Sequence, residues 1–249
     1  MSQFVIFTDV YAIGHSRSAG AHRIATVLRK RNVSVQIIDL ASRMTQLELS
    51  SVMEKYIDEN TKYVGISNTF LNTRFEHSLF PNNYSLELIQ KFKKEYGFKV
   101  ILGGNRNSTD SIIQNDYLNC IDLIVTGFAD KAILDIYDFF DHLKVEEVGT
   151  HKILHADKDP YTFNDFDKAQ IEWQPEDHIF PHESLPIEIA RGCVFRCSYC
   201  FFPLNGKGRH SRYLKEVDVI REELMRNWSD YGMTTYDMMD DLLNDRGEK

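Results

Sequence analysis

This chain has no apolar run longer than a strand. Its longest, such as Phe4–Phe7 and Leu123–Val125, fall far short of the roughly 20 residues needed to cross a bilayer, so no membrane role is expected. Cationic charge is scarce too: 29 Lys and Arg stand against 37 Asp and Glu, for a formal net charge of −8. An acidic chain is poorly suited to gripping nucleic acid by its phosphates, and nucleic acid is not an expected partner. The amino terminus lacks the basic segment and small-residue cleavage site of a secretory leader. Met1-Ser-Gln-Phe4 runs straight into an apolar strand, and a cytoplasmic protein is expected. Cysteine is also rare, four in 249 residues. Cys120 stands alone and reads as structural, whereas the other three crowd into residues 193–200. In a reducing compartment such a cluster signals metal ligation rather than a disulfide framework.

The 43% hydrophobic and 27% charged residues are those of a globular chain, which excludes disorder. Short apolar runs alternate with amphipathic stretches through the first 145 residues, the pattern of βα units on a parallel sheet. Strands are predicted at Phe4–Phe7, Val33–Leu40, Tyr63–Ser67, Lys99–Leu102 and Ile121–Thr126. Helices are predicted near Ala19–Arg31, Leu47–Glu59, Leu86–Tyr96 and Ala129–Leu143. Five strands with intervening helices suggest an α/β fold, a flavodoxin-like (Rossmann-like) doubly wound sheet. Turn signals such as Asp159-Pro160 and Gln174-Pro175 then break the rhythm, so residues 146–185 are expected to be a linker with little regular structure. Residues 186–249 resume it, with a strand at Ile187–Ala190, a helix at Lys215–Tyr231 and a strand at Thr235–Met239.

Between that strand and helix lies Cys193-Val-Phe-Arg-Cys197-Ser-Tyr-Cys200. Its Cys-x3-Cys-x2-Cys spacing puts three thiolates on one tight loop, enough for three corners of a cubane cluster. A fourth protein ligand is missing, which leaves one iron open. Structural zinc is the bland alternative; it needs four ligands, of which His210 could be the last. With Tyr199 before its last cysteine, the motif resembles that of the radical S-adenosylmethionine (SAM) superfamily. The resemblance implies a [4Fe-4S] cluster on Cys193, Cys197 and Cys200, with SAM chelated at the open iron. It further implies an electron donor, reductive cleavage of SAM to a 5′-deoxyadenosyl radical, and a partial (βα) TIM-like barrel that begins at Ile187. Asp240-Asp241, at the end of the next strand, resembles the paired acids that face SAM in several groups of this superfamily. The solvated loop Gly206–Arg212 is a weak candidate for meeting an anionic substrate.

The first 145 residues resemble the cobalamin-binding-like domain that precedes the barrel in one large group of the superfamily. Val64-Gly65-Ile66-Ser67, Leu102-Gly103-Gly104 and Val125-Thr126-Gly127 end the third, fourth and fifth strands. By that resemblance Ser67, Gly103 and Gly104 would face the nucleotide tail of cobalamin. The Asp-x-His-x-x-Gly signature reads Asp9-Val-Tyr11-Ala-Ile-Gly14, with Tyr11 where the cobalt-ligating His would be; His15 and His22 are out of frame. A methylthiotransferase would need three further cysteines in this half, and only Cys120 is present.

Two strands and one helix cannot close a barrel of about 250 residues. The barrel is therefore expected to be cut short here, or completed by a second chain. Methyl transfer or another carbon-centred radical reaction on an unknown substrate is the function implied. The alternatives are a non-catalytic metal-binding module and a zinc-stabilised nucleotide-binding protein that uses the Gly103-Gly104 crevice.

Overall fold

The four residues of β1 (Phe4–Phe7) are buried along their whole length, and their side chains divide by the strand's period of two. Phe4 and Ile6 pack beneath α1 (Ala19–Arg29) and α4 (Ala132–Phe139), with Ala25, Leu28, Ile133 and Ile136. Val5 and Phe7 face α2 (Gln46–Tyr56) and α3 (Tyr84–Tyr96), with Leu49, Met53, Ile89 and Phe92. An apolar run without polar alternation thus becomes a strand covered on both faces, as parallel sheets require. The computed structural model describes residues 2–9, 17–67, 84–104, 119–158, 160–161, 165–191, 198 and 214–239.

The other strands of this sheet are β2 (Val35–Ile38), β3 (Tyr63–Ser67), β4 (Lys99–Gly103), β5 (Leu123–Thr126), β6 (Glu146–Val148) and β7 (His151–His155). Their order is β2-β1-β3-β4-β5-β7-β6. The first five run parallel in the doubly wound order expected of a flavodoxin-like sheet. The chain winds in opposite directions on either side of the β1/β3 boundary, the switch point at which a doubly wound sheet takes its ligands, outside the carboxyl ends of the strands. Local signals set the helix starts. Ser18 accepts a hydrogen bond from the Ala21 amide at the head of α1, and Thr45 with Glu48 forms a capping box on α2.

One expectation is corrected. Regular structure does not stop near Val145, because β6 and β7 form a hairpin across Gly149-Thr150 that extends the sheet. β7 lies parallel to β5, and β6 antiparallel to β7. Between β7 and β8 (Leu185–Ile187), the described residues hold only short 3₁₀ turns at Phe166–Lys168 and Pro175–Asp177. β8, α5 (Val217–Tyr231) and β9 (Tyr236–Met238) then make a βαβ unit, with β8 and β9 parallel and Leu185 opposite Tyr236. Gly232, at φ +68°, ends α5 and turns the chain into β9. A small third core of Ala19, Ile171, Trp173, Leu185 and Met233 joins α1, the connecting segment and this unit.

Gly65 shows how closely the first sheet is packed. A β-carbon there would stand 3.0 Å from Phe4 Cε1 and 3.4 Å from Ile6 Cγ1. Gly65→Val should therefore cost about 1–3 kcal/mol by overpacking. Urea denaturation that shows no loss would mean that the Phe4 ring yields freely.

Candidate functional site

The switch point is built from strand ends. Ser67 closes β3 and pairs in register with Gly103, the last residue of β4, so the two stand side by side at the carboxyl edge. Among the described residues no heavy atom lies within 4 Å of where a Gly103 β-carbon would stand. Gly104 has φ +136°, a conformation open mainly to glycine. Gly103 and Gly104 therefore leave backbone without a side chain at the end of β4, beside Ser67, which suits close approach of a ligand. Thr8, just past β1, is fully buried, and its hydroxyl has no hydrogen-bond partner among the described residues.

Other residues of this edge have structural work. The Asp9 carboxylate accepts from the Ser42 amide at 3.1 Å and from the Ser42 hydroxyl, holding the turn after β2. Gly127 has φ +82°, and a β-carbon there would press on the Asp157 amide nitrogen at 3.0 Å. Its role is packing of β5 against the chain after β7 rather than ligand approach. At the ends of β5 and β7, Glu146 lies 2.7 Å from His155 Nε2, and Thr126 Oγ1 lies 3.0 Å from His155 Nδ1. A carboxylate only accepts, so His155 Nε2 donates to Glu146.

Cys193, Cys197, Cys200, Tyr199, Asp240, Asp241 and Tyr11 lie outside the described residues, whereas both stems of the cysteine segment lie within them. Ala190 bridges to Leu214, and the Lys215 amide donates to the Ile189 carbonyl at 2.8 Å. The chain thus enters and leaves the segment at adjacent points. Ile187 pairs with Met238, so β8 and β9 end at one edge, β8 leading toward Cys193 and β9 toward Asp240. Among the described residues no cluster of His, Cys, Asp or Glu could hold a metal ion. Cys120 is buried in the α2/α3 layer, and burial pushes its thiol above the ordinary range.

The residues that sequence reasoning missed form the joint between the sheet and the βαβ unit. Asp130, just before α4, takes Arg23 Nε of α1 at 2.8 Å and Arg191 Nη1 at 2.6 Å. Arg191, two residues before Cys193, also forks onto Glu188 at 3.1 and 3.0 Å. Its guanidinium sits 4.3 Å from the Phe128 ring centroid and 4.6 Å from that of Phe166. Burial pushes the Asp130 carboxyl upward, but Arg191 and Arg23 outweigh it and hold the group below its ordinary value. A second knot sits at the head of α1. Arg17 forks onto Glu183 at 3.0 Å through both nitrogens and reaches Asp39 at 3.2 Å. Arg29 forks onto Asp177 at 2.8 Å through both nitrogens. His22, buried against Trp173, lies 2.7 Å from Asp39 and is a structural residue. The Glu188-x-x-Arg191 spacing beside the cysteines was the one sequence signal for the joint.

No protein-family model matches this chain, and no curated protein matches it in sequence. Similar solved structures do exist. One is the radical S-adenosylmethionine methyltransferase TsrM from Kitasatospora setae with cobalamin and a [4Fe-4S] cluster bound, at 17% identity and a TM-score of 0.63. The match covers 97% of this chain and 49% of that one. TsrM with tryptophan substrate and the SAM analogue aza-SAM is similar at 16% identity and a TM-score of 0.62, over 96% and 48% of the two chains. Likeness at this identity shows a shared fold. The chain spans about half the length of these structures. No helix among the described residues is long and apolar enough to cross a membrane.

Two expectations follow. The folded-state carboxyl of Asp130 titrates below the ordinary carboxylate range, so its contribution is complete above that range and is lost as pH falls through the lowered value. Stability should therefore drop below about pH 4, and less steeply in Asp130→Asn, as urea titrations between pH 3 and 6 would show. Equal slopes would mean that Asp130 does not titrate on unfolding. Cys120→Ala should lose about 1–2 kcal/mol of stability, and an unchanged urea midpoint would mean that its thiol packs loosely.

Proposed function

We propose that this chain is the cofactor-binding half of a radical SAM enzyme. Cys193, Cys197 and Cys200 would hold a [4Fe-4S] cluster whose open iron takes SAM, with Tyr199, Asp240 and Asp241 beside it. The supporting observation is the position of the Cys-x3-Cys-x2-Cys motif, directly after the first strand of a parallel βαβ unit, in a chain that shares its fold with TsrM over 97% of its length. Three thiolates suit iron–sulfur ligation and leave a coordination position for a cofactor. The cluster and SAM would supply radical chemistry for methyl transfer or another carbon-centred reaction on an unknown substrate. The chain's own task is to hold them, aim them and exclude water.

The carboxyl edge beside Ser67 would take the tail of cobalamin: Gly103 and Gly104 carry no side chain there, and among the described residues the buried Thr8 hydroxyl has no hydrogen-bond partner. Tyr11 stands where a cobalt-ligating His would be, so cobalamin would be held by its tail rather than by a histidine on cobalt. The βαβ unit would be the start of a partial barrel. Val217, Met225 and Trp228 of α5 and Met238 of β9 are exposed at 72%, 61%, 64% and 54%. Further βα units, from more of the same polypeptide or from a second chain, would cover that apolar surface. An electron donor is required, and a reducing cytoplasm would keep the thiols free for iron.

The test is anaerobic reconstitution with iron and sulfide, followed by electron paramagnetic resonance of the reduced protein with and without SAM. A cubane signal that shifts on adding SAM is the expected result. Zinc in elemental analysis, without a cubane signal, would replace the cluster with a structural knuckle.

A further inference from the structure

We infer that Arg191, clamped by Asp130 and Glu188, is a positioning residue that fixes the stem leading into the cysteine segment to the sheet domain. The inference rests on the function proposed above and adds a coupling between its two cofactor sites.

The clamp joins elements far apart in sequence at one buried point. Asp130 follows β5 on the sheet's carboxyl edge, Arg23 comes from α1, and Glu188 and Arg191 lead from β8 into the cysteine segment. The side chains of Arg191 and Asp130 are only 5% and 8% exposed, so solvent screens little of their interaction. Each contact fixes a different degree of freedom. The fork onto Glu188 orients the guanidinium plane, Phe128 and Phe166 stack on its faces, and the 2.6 Å bond to Asp130 sets its distance from the sheet. A lysine would keep the charge and lose the fork and the stacking.

A second layer braces the exit stem. Lys215, next to the Ala190–Leu214 bridge, pairs with Glu223 of α5 at 2.8 Å, both being nearly inaccessible to solvent. Glu223 also accepts from the Ile171 amide at 3.0 Å, and Arg226 donates to the Gln170 side chain at 2.7 Å and to the Ile171 carbonyl at 2.8 Å. Arg23 donates to the Gln170 carbonyl at 2.9 Å. Both stems thus return to α1 and the connecting segment, and through them to the sheet.

The experiment compares the full chain with Asp130→Asn, Arg191→Met and Arg191→Lys, and with Leu49→Ala as a destabilised control in the opposite layer. Hydrogen exchange of peptides spanning 186–191 and 214–219 reads the clamp whether or not a cluster is bound. Exchange there should speed up at least tenfold in Asp130→Asn and Arg191→Met, and the α2 and α3 peptides should be unaffected. In the reconstituted protein, Asp130→Asn should keep its iron, broaden the reduced-cluster signal and need at least fivefold more SAM for the spectral shift. Arg191→Lys should fall between the wild type and Arg191→Met on both readouts, and Leu49→Ala should leave both unchanged. Unchanged exchange at the stems would overturn the clamp. Faster exchange with an unaltered cluster signal and SAM response would overturn the positioning role. If the wild type forms no cubane cluster, the proposed function fails, and the exchange data still decide whether the clamp exists. Should Asp130→Asn lose its melting transition, Arg191→Lys carries the test.

Discussion

A buried carboxylate between two guanidiniums is the constraint on which the two parts of this protein meet. Removing three charges from water is expensive, and ion pairing seldom returns more than an apolar contact of equal volume would. What the arrangement supplies is geometry. Asp130 accepts Arg23 on one oxygen and Arg191 on the other, and Glu188 fills the remaining fork of Arg191. Rotating the βαβ unit against the sheet would leave a buried charge uncompensated, a loss of about 3–5 kcal/mol. A greasy joint would slide at far lower cost.

Much of the fold was legible because its strands are uniformly apolar and its helices amphipathic. Phe4–Phe7 and Tyr63–Ser67 were placed at their observed limits, since burial on both faces demands an unbroken apolar run of that length. The β6–β7 hairpin was missed for a physical reason. Glu146-Glu147-Val148 is a short edge strand with two exposed acids, and such strands carry no apolar signal. Gly149-Thr150, a two-residue turn with φ +61° at the glycine, was the cue that could have revealed it.

The candidate site divides in the same way. Cysteine spacing is a local property, so the proposed ligand set rests on residues 193–200 alone. Ser67 and Gly103 were legible because they end strands whose order follows from the βα rhythm, and the register places them side by side. The partnership of Arg191 with Asp130 was not legible. The two lie 61 positions apart, and each alone resembles any surface charge in a chain that is 27% charged. Only the packing of β8 beside α1 makes them a pair.

That difference bears on how the chain divides its work. Under the proposed function the cysteines would need only local sequence to gather three thiolates, but a cluster acting on a second cofactor would also have to be held at a fixed distance and angle. Distance and angle between two units are tertiary quantities, supplied by whatever is least able to slip at their junction. Here that junction holds a guanidinium, Arg191, forked onto Glu188, packed against two rings and bound to the buried Asp130, and further forks recur at Arg17–Glu183 and Arg29–Asp177. Helix α1 thus carries two arginines, Arg23 and Arg29, and follows a third, Arg17, and all three reach out of the sheet domain into the segments leading to β8. It is the rail along which the rest of the chain is set, and Arg191 is where that rail meets the cysteine segment.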